Sequence, residues 1–467
     1  MQSLSHTLKS ASLAGAILLA SAAPSLSQGN APPVPGSELS NAEVQDLSRQ
    51  ILQLGTLERN GVMARLVDRG NTDVVPALIQ SLRFLGQDPW SIVDALKILT
   101  GEDHGNRWND WMLWQEARPD IIPFEGFDEY KSWVYSHIDP NLGAFLYAGI
   151  PHTIRLEEIS WGGVIKDGIP ALVNPKLVPP AEADYITPDE LVFGVEINGD
   201  TRAYPLRMLD WHEMFNDVIG GVPVALAYCT LCGSGILFET DVAGRDAPFE
   251  FGSSGFLYRS NKLMFDRETD TLWNQFTGKP VAGKLVGSDI ALKVRPVAIT
   301  SWAKWYARHP DTTVLSLDTG FDRDYTPGKP YAPYFDSPDL MFPARVNDTR
   351  LAAKDYVYAL RMGDAEKAWA LKLFEDTPVL NDTIDGRPIV LVGDSGSRTV
   401  RAYETGGREF SPAAGDAENL VARDGSWRIT EAELISGSGE TLSRLPGHIA
   451  YWFAWQNFRP SAETRFE

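Results

Sequence analysis

Apolar positions recur at steps of three and four from residue 41 to about 118, the repeat of helices with one buried face. Val44, Leu47, Ile51 and Leu54 share a face of the first, with Asn41 placed to cap it and Gly55 to end it. Further helices are predicted near 61–67, over 73–85, over 90–101 with Gly101 as the stop, and over 108–115, where three tryptophans supply anchors. The short pairs around ValValProAlaLeuIle and AlaLeuLysIleLeuThrGly resemble HEAT-like repeats. Only about two units fit, fewer than the three or so that stand alone, and a plain helical bundle reads equally well.

Beyond about residue 150 the period changes. LeuValPheGlyValGluIle (191–197), Asn198-Gly199 and ThrArgAlaTyr (201–204) form a hairpin signal. Strands are also predicted over 222–228, 235–240, 271–276, 313–317, 389–393, 399–403 and 426–429, with helices at 205–217, 301–308 and about 365–374. Turn signals are frequent and helical crossovers few. The expected fold class is α+β: a mainly antiparallel sheet domain with short helices over 140–465, preceded by a small all-helical segment over 39–120.

The chain's 467 residues leave room for two or three domains at about 100–200 residues each. A net charge of −20 repels phosphate backbones and anionic lipid, so no nucleic-acid partner is expected. Residues 1–27 read as a signal peptide. Lys9 is their only charge, the apolar run 11–20 is too short to span a bilayer, and cleavage fits after Ala22 or Ser27. Residues 28–38 are a Pro/Gly-rich linker. No stable membrane span is expected after cleavage, and the expected location is periplasmic or secreted. That compartment is oxidising. It also lacks the cytosolic nucleotide supply, and neither GxxxxGK[ST] nor GxGxxG occurs in the chain.

The chemistry-bearing feature is the pair Cys229 and Cys232, the chain's only cysteines, in TyrCysThrLeuCysGly (228–233). Between two strand-like runs, a CxxCG turn points both sulfurs to one side, as a metal knuckle does. A thioredoxin-type pair would open a helix, which this context lacks. One CxxC supplies two ligands. Among the histidines, His212 in AspTrpHisGluMetPheAsnAsp (210–217) is the best third, one predicted helix before the Cys strand. The leading expectation is a transition-metal site of Cys229, Cys232 and His212, holding copper or zinc, since thiolate with imidazole suits both. Two alternatives stay open. One is a non-enzymatic scaffold with a structural disulfide, its helical segment recruiting a protein partner. The other is a periplasmic thiol–disulfide redox protein.

ArgAlaTyrPro (202–205), TrpHisGlu (211–213), TyrCysThrLeuCysGly (228–233), the run 251–267, ThrLeuTrpAsnGlnPheThrGly (271–278), HisProAspThrThrValLeuSer (309–316), the run 324–334 and LeuProGlyHisIleAlaTyrTrpPheAlaTrp (445–455) carry a resemblance. Over roughly 145–465 the chain resembles domain-of-unknown-function family 3179. That family usually reads Cys-Pro-Leu-Cys; Thr230 stands here in place of the Pro, which is not a ligand. The resemblance implies an exported domain whose recurring motifs fall on His212, Cys229 and Cys232, and it implies no reaction.

Other motifs read as structural. AspArgGluThrAspThrLeuTrp (266–273) is expected to be a charged hairpin, and TyrTrpPheAlaTrp (451–455) a core-packing segment. Gly393-Asp394-Ser395-Gly396 echoes a serine-protease loop, but no matching His motif lies upstream.

Overall fold

A computed structural model describes residues 39–85 and 88–467; the expected signal peptide and linker lie outside them. The chain forms two compact units. One runs to Ile150 and takes in Arg155–Glu158; the other comprises Pro151–Ile154 and Ile159–Glu467.

The first unit is helical: α1 (Asn41–Gln53), α2 (Thr56–Arg69), α3 (Val75–Phe84), α4 (Trp90–Thr100), α5 (Trp108–Glu116), α6 (Phe127–Ser136) and α7 (Pro140–Ala144). Ser40, not Asn41, caps α1. Its side chain accepts from the Glu43 N–H while the Glu43 carboxylate accepts from the Ser40 N–H, a capping box that the sequence carries as Ser-x-x-Glu. Gly101 ends α4 in the left-handed conformation expected of it. Because α1 packs on α2, α3 and α6, the set closes on itself, around Val44, Ile51, Leu78, Leu96 and Tyr130.

The second unit is sheet-rich, mostly antiparallel, and built from two matched halves. The first half contains strands Leu191–Ile197 and Asp200–Pro205, α8 (Leu206–His212), and strands Met214–Ile219, Val222–Cys229 and Ser234–Glu239. After four inserted strands between Phe251 and Ala282 come Val294–Arg295, Ala298–Ser301, α9 (Trp302–Arg308) and Thr313–Leu315. The connection to the next half carries α10 (Ala332–Phe335). The second half repeats the order: Tyr356–Met362, Ala365–Ala370, a 3-10 turn at Leu371–Phe374, Val379–Ile384, Arg387–Asp394 and Thr399–Glu404. Four inserted strands between Ser411 and Ser436 follow, then Thr441–Leu445, His448–Tyr451, α11 (Trp452–Phe458) and Glu463–Arg465.

The registers match as well. Gly194 faces Ala298 and Ala359 faces His448; Leu237 faces Arg295 and Ala402 faces Leu445. Ala203 lies parallel beside Val314, and Ala368 beside Thr464. Asn216-Asp217, Ile219, Gly221 and Pro223 recur as Asn381-Asp382, Ile384, Gly386 and Pro388. Gly220 and Gly221 turn with φ of 54° and 79°, and Asp385 and Gly386 with 50° and 72°. These left-handed pairs match the strand twist of a two-residue hairpin. The halves pack reciprocally: strand Ser234–Glu239 lies against His448–Tyr451, and Thr399–Glu404 against Ala298–Ser301. Phe193, Tyr204 and Leu226 of one half share a core with Tyr358, Trp369 and Leu391 of the other.

Two expected helices differ. The segment predicted helical over 205–217 leaves that state after His212, where Glu213 adopts φ 54°, and continues as a strand paired with Val222–Cys229. Of the segment predicted helical over 365–374, Ala365–Ala370 pairs as a strand with Tyr356–Met362, and only Leu371–Phe374 coils, as a 3-10 turn. Its Ala, Glu and Lys favour helix intrinsically, but a neighbouring strand and a buried Trp369 outweigh propensity.

Candidate functional site

Cys229 ends one strand and faces Ser234 at the start of the next. Thr230–Cys232 form a single 3-10 turn, and Gly233 follows with φ 59°. A Cβ on Gly233 would sit 3.0 Å from the Tyr356 ring and 3.1 Å from that of Tyr451, so the position needs glycine for backbone and for space. The turn brings the cysteines together as a disulfide, their Cα atoms 5.2 Å apart, within the usual range for such a bond. Cys229 is 3% exposed and Cys232 0%.

The loop is held from every side. Gln275 bridges its two strands, its Nε2 donating to the Ala227 and Ser234 carbonyls at 2.8 Å each. The Gln275 Oε1 accepts from Asn261 Nδ2 at 2.8 Å, and Asn261 Nδ2 also donates to Cys232 Sγ at 3.4 Å. The Ser260 carbonyl oxygen lies 3.3 Å from the same sulfur. Above, the Tyr334 hydroxyl on α10 donates to the Leu231 carbonyl at 2.7 Å.

A buried polar group stands at the root of the same hairpin. The Glu213 carbonyl accepts from the Tyr228 N–H, and the Glu213 carboxylate accepts from Lys262 Nζ at 2.8 Å. Lys262 is 4% exposed, and burial lowers its pKa against the pull of Glu213. Asp210 on α8 is also buried, and its Oδ1 has no hydrogen-bond partner among the described residues. Burial pushes its carboxyl up to about 8; Glu213 raises it further, while the Tyr228 hydroxyl and Arg398 pull it down. The Arg398 guanidinium lies 4.3 Å over the Tyr356 ring, and Tyr356 donates to the Tyr451 hydroxyl at 3.1 Å.

His212 points elsewhere. Its Nδ1 donates to the Pro170 carbonyl at 2.8 Å, and since that oxygen only accepts, Nε2 carries the lone pair and accepts from the Tyr325 hydroxyl at 2.5 Å. Burial lowers its pKa to about 4, opposed by the Pro170 carbonyl and reinforced by Arg323, so the ring is neutral. The expected copper or zinc set of Cys229, Cys232 and His212 is therefore not assembled. The sulfurs bond each other, and both ring nitrogens are occupied by groups from the connection and from Pro170. Among the described residues, no group of three or more His, Cys, Asp or Glu side chains is arranged to hold a metal ion. The physical reason is the strand Met214–Ile219, which the sequence reading had as the end of a helix. It carries the chain alongside the Cys strand from Glu213 onward, while the His212 ring is turned to Pro170 and Tyr325.

The second half supplies a matching loop. Asp394 faces Thr399 as Cys229 faces Ser234, and in place of the disulfide the Ser397 hydroxyl donates to the Asp394 carboxylate. Lys304 Nζ contacts both, pairing with Asp394 and lying 3.3 Å from Ser397 Oγ. The motif that echoed a protease is thus a strand connection held by an ion pair.

An α+β domain of two matched halves, with a disulfide-closed loop in one and an ion-paired loop in the other, is the class of protein defined here. The chain belongs to the family described as protein of unknown function DUF3179, whose model matches residues 166–462, beyond the helical unit. No curated protein and no solved structure matches it.

Proposed function

We propose that this is an exported thiol–disulfide redox protein, periplasmic or secreted, whose reducible pair is Cys229–Cys232. The observation that carries the reading is the second loop. The same turn closes with a hydrogen bond between Ser397 and Asp394, so the fold does not need a covalent bond at that place. A disulfide across so short a span is also a weak staple. Chain entropy assigns about 2 kcal/mol to a four-residue loop and about 4.7 kcal/mol to a hundred-residue one.

Exchange then runs through Cys229, the less completely buried of the two residues. A thiolate of a small dithiol attacks Cys229 Sγ, the disulfide breaks, and Cys232 leaves as the thiolate. Asn261 Nδ2 is placed to stabilise that charge, and the Ser260 carbonyl to accept the S–H once a proton arrives. The donor's second thiolate attacks its own sulfur in the mixed disulfide and releases Cys229. Two electrons and two protons have then passed from donor to protein, and the donor leaves as a disulfide.

The burial of both sulfurs favours a second reading, an inert structural bond. Equilibration of the full chain in dithiothreitol buffers, followed by thiol trapping, separates the two. A midpoint above about −270 mV supports the redox reading; one below about −300 mV marks a structural bond and sinks it. Elemental analysis adds a further outcome. One equivalent of copper or zinc on protein with two free thiols would overturn the redox reading in favour of the metal centre.

A further inference from the structure

An opening lies beside the loop of the second half. This cavity, of about 900 Å³ beside Asp394, falls within the range of roughly 300–1,000 Å³ typical of small-molecule sites. Its presence follows from a difference between the halves. In the first, the sheet face that carries Met214 and Ala227 is packed solid against Phe251, Met264 and Trp273 of the inserted strands. In the second, the corresponding Val379 and Val392 are only half-buried; they pack against the cluster of Leu420 and Ile429, and all four side chains line the cavity.

The charges at this cavity are paired except for Asp416, whose carboxylate has a neutral amide as its partner. Lys304 pairs with Asp394, Arg308 with Glu418, and Arg401 with the buried Glu431. Asp416, also at the wall, accepts from Asn419 Nδ2 at 2.7 Å. An ion of either sign meets like charge at this wall, from Lys304, Arg308 and Arg401 or from Asp394, Asp416 and Glu418, whereas a neutral ligand avoids both and gains from covering half-buried valines. We infer that this cavity is a binding site for a neutral, largely apolar small molecule, separate from the disulfide and independent of the redox reading.

The test uses the full chain and two dyes, neutral Nile red and anionic anilinonaphthalene sulfonate. One Nile red is expected to bind per chain with a blue-shifted emission. Val392→Trp, which fills the floor, is expected to weaken it at least tenfold, and Cys229→Ser to leave it unchanged. Ala417→Trp fills the cavity from the opposite wall and serves should Val392→Trp fail to fold, as judged by near-ultraviolet circular dichroism. Several dyes per chain, no loss in either folded Trp variant, or tighter binding of the anionic dye would each overturn the inference.

Discussion

Asp210 is the side chain whose protonation the fold alters most usefully for measurement. Its folded carboxyl titrates at about 8, while an unfolded aspartate loses its proton near ~4. Between those values the folded chain holds a proton that the unfolded chain does not. The contribution of this group to stability therefore falls as pH rises from about 4 to about 8, and is flat on either side. Asp210→Asn keeps the shape and removes the titration. In urea unfolding across that range, the variant is expected to lose a downward slope that the parent shows, and to be the more stable of the two at pH 8. An unchanged slope would show that Asp210 is not buried as an acid. His212 contributes in the opposite sense. With a folded pKa of about 4, it leaves the folded state neutral while the unfolded chain gains a proton, so its contribution declines as pH drops from about 6.5 to 4. The two residues are separable because only one responds to Asp210→Asn.

At the scale of elements, the strands were the legible part. The Asn198-Gly199 hairpin, the two Cys strands and the strands over 387–404 are marked by β-branched runs between turn dipeptides, and they lie within a residue or two of where periodicity puts them. The cysteine turn was legible as a strand connection, but its bonding was not, because CxxCG serves metal, disulfide and redox sites alike. Asp210, Glu213, Lys262 and Gln275 were missed as a group, since they come from three separate segments: the end of α8, the strand Asn261–Asp266 and the residue after Leu272–Asn274. The recurrence of Asn-Asp, Ile, Gly and Pro in the two halves was the signal that would have exposed the duplicated order and the strand hidden in 214–219. The duplication itself makes a prediction. If the loops are equivalent, cysteines at the matching positions are close enough to bond. Asp394→Cys combined with Ser397→Cys, in a chain with Cys229 and Cys232 both changed to Ser, is expected to oxidise to an intramolecular disulfide. Thiol titration after air oxidation should find no free thiol; two persistent thiols would mean that the second loop differs in shape. Loss of the Lys304 pair in that variant costs little, because both partners are solvent-facing.

For the whole molecule, the expected export makes the clearest prediction. The chain recovered from the outer compartment of a bacterial host should begin at Ala23 or Gln28, and intact mass spectrometry reads this directly. Retention of Met1 would remove the argument for an oxidising environment. A second property of the whole follows from charge. At −20, self-repulsion favours solubility and monodispersity at low salt. No described helix is long and apolar enough to cross a membrane.

The reciprocal packing of the halves has a consequence for dissection. Strands of each pack against strands of the other, and both contribute to one apolar cluster, so neither finishes its interior alone. Cutting the chain in the connection after Leu315 would yield two fragments that depend on complementation: separately they would expose Phe193 or Tyr358 to water, and mixed they would restore one another.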